Sequence, residues 1–240
     1  MVCILRVLHF RGIRFELYER KEQDFMIELI IARHGQSVAD IEKRHEGRAD
    51  FPLTNLGKEQ AEKLAHWLKA KVAFDYIISS PLKRAAETSE IVSKTCGKEV
   101  FYDERLMEWN NGVLAGLLRS EAQEKYPIPE GGRKYFQKIP EGESVIDFRA
   151  RIEEFFAELL DRTEGGSGIG NGNVKVNVNV NSRILLIAHG GTINMLFQSF
   201  LGLPVKNDIA ICSGDTSVHI WRVNGESRTI IMSNGNAHLR

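Results

Sequence analysis

Two short stretches, far apart in the chain, share one pattern. Leu29-Ile30-Ile31-Ala32-Arg33-His34-Gly35 and Leu185-Leu186-Ile187-Ala188-His189-Gly190-Gly191 are each an apolar run that stops on a histidine followed by glycine. A short continuous apolar run is the pattern of a strand buried on both faces. Such strands belong to parallel sheets covered by helices, and sites in those sheets form at the carboxyl ends of the strands. If the two strands are neighbours, His34 and His189 meet at that edge.

The rest of the chain supplies alternating strands and helices. Residues 54–71 carry Ala61, Leu64, Ala65 and Leu68 at helical spacing, with Thr54 as a candidate N-cap. Residues 75–80 read as a short strand. Pro81 then opens a helix to about Cys96, stopped by Gly97, and "VFYD" follows as another short strand. Ser144 begins a helix to about Thr163 with a capping-box-like start. Another helix runs from about Thr192 to Leu201. "SVHIWRV" and "RTIIM" flank Asn224-Gly225, a hairpin signal. The expected fold class is therefore α/β: three layers, with a mainly parallel central sheet flanked by helices and a terminal antiparallel hairpin at or near an edge.

Two segments stand apart. Residues 1–25 are apolar and basic, then acidic. They read either as an extension outside the domain, with Met26 as the natural start, or as an extra strand or hairpin. Arg6 interrupts their apolar run too early for a signal peptide. Residues at about 164–182 are Gly-rich and then alternate valine with asparagine or lysine, and read as an insert in a helix-to-strand connection.

The chemistry-bearing residues cluster around strand ends. Arg33 places a positive charge beside His34. After His189, a helix start offers N–H groups to an anion, and Gly190 lets a ligand approach the backbone. Arg84 lies near the start of the helix after the second strand, where it would clamp a phosphate. Glu108 follows a short strand and is a candidate proton donor. Lys+Arg and Asp+Glu both number 32. That balance argues against a nucleic-acid or acidic-membrane partner and leaves a local basic pocket for a small phosphorylated metabolite. Three scattered cysteines with no CxxC spacing give neither a disulfide framework nor a metal site, and fit a cytoplasmic location. No cofactor is implied. A homodimer is the assembly left open.

Together, "ARHG", "SPLKRAAET", "LMEWNNGVLAG" and "AHGG" resemble the motifs of the histidine phosphatase superfamily, also called phosphoglycerate mutase-like, over residues 26–240 apart from the insert. The resemblance implies a phosphohistidine formed on His34, with Glu108 protonating the leaving group and later serving as base. It implies that Arg33, Arg84 and His189 hold the phosphoryl oxygens without a metal. Ser37, Asp40, Glu46, Gly47 and Gly190 fall at substrate-binding positions. Two depart from the family: Asp40 stands where asparagine is common, and Glu46 where glutamine or serine is usual. A phosphatase is favoured over a cofactor-dependent mutase, because the segment between Glu108 and Glu141 is short and Trp109, not a basic residue, follows Glu108. Residues 113–140, with Arg119, Arg133, Lys134, Tyr126, Tyr135 and Phe136, are the expected specificity lobe. A catalytically weak phospho-ligand binding module is the non-enzyme alternative.

Overall fold

The computed structural model describes residues 26–160 and 181–240, together with the backbone of residues 2–10 and 13–21. Strands β1 (Val2–Phe10) and β2 (Ile13–Lys21) pair antiparallel as a two-stranded sheet of their own. The N-terminal segment thus contains a hairpin that does not extend the main sheet. All but Asn181 and Ser182 of the expected insert lies outside the described residues.

The main sheet has six strands: β3 (Met26–Arg33), β4 (Tyr76–Ser79), β5 (Val100–Tyr102), β6 (Arg183–Ala188), β7 (Val218–Asn224) and β8 (Ser227–Gly235). Their spatial order is β5-β4-β6-β3-β7-β8. The first four in that order are parallel, and β7 and β8 complete the sheet antiparallel. This is the three-layer α/β arrangement expected from the alternating pattern, with the terminal hairpin at an edge.

Strand periodicity divides the core into two halves. Ile27, Leu29 and Ile31 face one layer, with Ile184, Leu186 and Ala188 beside them. That layer is α5 (Val145–Leu160) and α6 (Gly190–Phe200), which contribute Ile152, Phe155, Phe156, Leu196 and Phe200. Ile30, Ala32, Leu185 and Ile187 face the other layer. There α2 (Asn55–Lys71) contributes Leu64, Ala65 and Leu68, and α3 (Lys83–Cys96) contributes Ala85 and Val92. Both strands are apolar throughout because both of their faces are covered.

Local signals set the helix ends. The Thr54 hydroxyl accepts the Gly57 N–H and caps α2. Ser144 and Asp147 exchange hydrogen bonds at the head of α5. Gly97, in a left-handed conformation, ends α3. The start of α6 differs from expectation. Its first residue is Gly190 and its N-cap is His189, so the helix begins two residues before Thr192. Among the described residues no helix is long and apolar enough to cross a membrane.

Leu186 has no exposed surface and packs in the α5/α6 half of the core. Leu186→Ala is expected to cost about 2–5 kcal/mol, read as a lower urea midpoint with little change in slope. A cost below about 1 kcal/mol would show that this half of the core is loosely packed.

Candidate active site

β3 and β6 are parallel neighbours, with Arg33 opposite Ala188. The last rung of their ladder is the His34 N–H donating to the Ala188 carbonyl, 3.0 Å away. His34 and His189 are therefore the next pair along the two strands. Their ring centroids lie 5.0 Å apart, and both residues are fully buried. β4 ends at the same level, where the Ser80 N–H donates to Ile187 O. Three adjacent strand ends thus deliver Ser80, His189 and His34 to one edge.

Hydrogen bonds orient the two rings. His34 Nδ1 lies 2.7 Å from the Gly35 carbonyl, so that nitrogen carries the proton and Nε2 holds the free lone pair. Arg84 Nε donates to that Nε2 over 3.3 Å. His189 Nε2 bonds the Ser80 hydroxyl at 2.8 Å, while its Nδ1 is buried without a partner in the protein. Burial, with the charges of Arg84 and Arg33, pushes His34 well below the ordinary imidazole range. Burial and the charge of Arg84 do the same to His189. Both rings are neutral at pH 7.

Arg84 stands in the first turn of α3 and is fully buried. Its terminal nitrogens donate to Gly47 O at 2.9 Å and Ala49 O at 3.0 Å, which fixes the guanidinium and turns Nε toward His34. Arg33 donates to Ser213 O and faces the carboxylates of Asp40 at 3.8 Å and Asp215 at 3.6 Å. Its buried Nε has no partner.

Glu108 comes from the loop after β5. Its carboxylate accepts the Gly191 N–H at 2.9 Å and the Trp109 N–H at 2.8 Å. The anion at the start of α6 is thus the protein's own Glu108, where an open anion site was expected. Gly191 allows this approach, because a Cβ there would sit 2.3 Å from Glu108 Oε1. Gly190, singled out for close approach, has open space instead: its nearest neighbour would be Arg33 Nε at 4.0 Å.

Ser37 is the N-cap of α1 (Val38–Glu42) and lies outside the helix proper. Its buried hydroxyl is already engaged with Asp40 and Glu46. Asp40 Oδ2 accepts the Ser37 N–H at 2.8 Å, closing a capping box. Glu46 lies 3.4 Å from Arg84 and 3.9 Å from His34, and burial raises its carboxyl. Gly47 adopts φ +47° against Asn111, whose Oδ1 would be 1.7 Å from an added Cβ.

A cleft of about 400 Å³ opens beside these groups, lined by Arg33, Asp40, Glu46, Gly47 and Glu108 among others, while the fully buried His34, Arg84 and His189 lie behind its lining. Of the expected specificity segment only Arg119 lines it, joined by Arg44 and Trp109. Tyr126, Tyr135 and Phe136 are exposed and do not line this cleft. Sequence reasoning also missed Arg151. It donates to Arg105 O, Met107 O and Glu108 O and pairs with Glu143 at 2.6 Å, so it braces the Glu108 loop.

The arrangement joins two neutral imidazoles, two anchored guanidiniums and a carboxylate at the carboxyl ends of parallel strands. Residues 29–236 match the family model of the histidine phosphatase superfamily (branch 1), and the chain belongs to that family. A protein of Escherichia coli named as a probable phosphoglycerate mutase, GpmB, is 32% identical over 212 residues, covering 83% of this chain and 90% of that one. The solved structure of "Mycobacterial hydrolase 1" is 27% identical, with a TM-score of 0.71, over 88% of this chain and 100% of that one. A mycobacterial glucosyl-3-phosphoglycerate phosphatase solved with VO3 is 29% identical, with a TM-score of 0.70, over 87% and 98%.

His219 is a third buried imidazole, pushed by burial down to about 4. For all three histidines the folded value lies below the unfolded value of about 6.5. The unfolded chain therefore binds more protons as pH falls, and stability present above pH about 6.5 is lost on acidification. The urea midpoint is expected to fall between pH 7 and pH 5, and His219→Gln should make that fall shallower. A midpoint independent of pH would show the rings protonated in the native state.

Proposed function

We propose that the chain is a metal-independent phosphomonoesterase that hydrolyses a small phosphorylated metabolite through a phosphohistidine on His34. The observation that carries this reading is the orientation of the His34 ring. Its proton is held on Nδ1 by Gly35 O, which leaves the Nε2 lone pair beside the Arg84 guanidinium. Burial keeps the ring neutral and therefore nucleophilic.

In the first step Nε2 attacks phosphorus, the P–N bond forms and the P–O bond to the leaving alkoxide breaks. Glu108 acts as the general acid that gives a proton to that alkoxide. In the second step Glu108 takes a proton from water, which attacks phosphorus and releases phosphate and neutral His34. Arg33 and Arg84 face the equatorial oxygens as charge moves onto them, and His189 Nδ1 is a further ring nitrogen with no partner in the protein. Backbone carbonyls already hold the guanidinium of Arg84, so little reorganisation is needed during reaction.

Mutase-type transfer is the second reading, supported by the name of the Escherichia coli relative and by Arg44 and Arg119 in the cleft. The phosphatase names among the solved relatives and the short segment after Glu108 support hydrolysis.

Release of phosphate from an aryl phosphate and from an alkyl phosphate, with EDTA present, tests the proposal. His34→Ala should lower kcat by several orders of magnitude on both. Glu108→Gln should impair the alkyl ester far more than the aryl ester, whose leaving group needs no proton. Undiminished turnover by His34→Ala would sink the covalent route. Conversion of a phosphoglycerate to its isomer without net phosphate release would favour the mutase reading.

A further inference from the structure

Glu46 occupies the heart of the anion site. Oε1 accepts a hydrogen bond from the buried Ser37 hydroxyl and lies 3.4 Å from Arg84 Nε. Oε2 lies 3.9 Å from His34 Nε2. A guanidinium N–H, a buried hydroxyl and the free ring nitrogen are the groups an incoming phosphoryl group would need. One carboxylate, its side chain 17% exposed, lies against all three: it accepts from Ser37, while the Arg84 Nε–H and His34 Nε2 beside it are bonded to each other.

The charges around it do not favour a second anion. Arg84 faces Glu46 from α3, His34 and Arg33 from the end of β3, and Asp40 from α1. Arg33 itself faces both Asp40 and Asp215. Arg33 and Arg84 thus meet the carboxylates of Glu46, Asp40, Asp215 and Glu108, and Arg44 and Arg119 also line the cleft. A dianion placed among them is repelled unless one carboxylate gives up its charge. Burial and the charge of Asp40 already push the Glu46 carboxyl upward, against the pull of Arg84, Ser37 and Arg33, whereas Asp40 has one oxygen committed to the α1 cap.

We infer that Glu46 is the proton-carrying residue of the phosphoryl site: the anion binds together with one proton, held on Glu46, which changes from occupant of the site to hydrogen-bond donor. The inference rests on the phosphoryl-site reading above and adds which residue sets the ionic form of the ligand that binds. A neutral Glu46 keeps its place beside Ser37 and offers its O–H to a phosphoryl oxygen. With Glu46 ionised, the same oxygens compete with the ligand for Arg84.

Sulfate is the probe, because it stays a dianion across the working range and contributes no titration of its own. Calorimetric titration of the wild type should show affinity rising about tenfold for each pH unit lowered above the Glu46 value. Paired titrations near pH 7, in two buffers of different ionisation enthalpy, should show one proton taken up per sulfate bound. E46Q should bind sulfate at least about tenfold more tightly than wild type at pH 7.5, with most of the pH dependence gone. No proton uptake by wild type overturns the inference without need of the variant. Equal pH dependence in wild type and E46Q also overturns it, and moves the proton to another titratable group of the site: Glu108, Asp40, Asp215, His34 or His189. Sulfate binding by neither protein at any pH removes the anion-site reading itself, a result distinct from those two.

Discussion

The parallel pairing of β3 with β6 is the contact on which everything else in the site depends. It brings together two histidines more than a hundred and fifty residues apart in sequence. Side chains alternate along a strand, so a slip of one residue would turn Ile31 and Leu186 to the wrong helical layer and carry His34 out of place. The register is held because both faces of both strands are buried, each against a different helix pair. Core packing and the geometry of the site are consequences of the same pairing.

Electrostatics then decide what that geometry can do. Buried imidazoles beside guanidiniums lose their protons, which leaves lone pairs where cations would otherwise stand. A buried arginine is tolerable only when its N–H groups find acceptors, and Arg84 finds Gly47 O and Ala49 O. The same anchoring joins the loop after α1 to α3. Arg151, paired with Glu143, ties three carbonyls of the segment ending in Glu108 to α5. Two loops beside the cleft are therefore held by arginines on flanking helices, and His34 itself sits at the end of a central strand.

Most of the strands and helices were legible because their signals are local. Two apolar runs, the Thr54 and Ser144 caps, Gly97 and Asn224-Gly225 each act within a few residues. The N-terminus of α6 was less legible. Gly190-Gly191 weakens the helical pattern, so the helix is expected to begin at Thr192. Capture of Glu108 by the Gly191 N–H belongs to a contact across 83 positions, which no local rule reports. The aromatic residues of the 113–140 segment illustrate the converse. Tyr135 and Phe136 pack edge to face against each other, away from this cleft, while Arg119 from the same segment lines it.

The sequence by itself determined the architecture, the strand-end placement of His34 and His189 and the family motifs, because strand periodicity and short-range caps are written in adjacent residues. Only the tertiary structure decided where the charges meet. Asp40 and Glu46 read alike in sequence, as two acids near an expected phosphate. In the fold one of them closes the α1 cap, and the other stands between Ser37, Arg84 and His34. Asp40 lies within α1, where its carboxylate reaches back to its own N-cap, whereas Glu46 lies beyond the helix, next to a Gly47 held in a left-handed turn against Asn111.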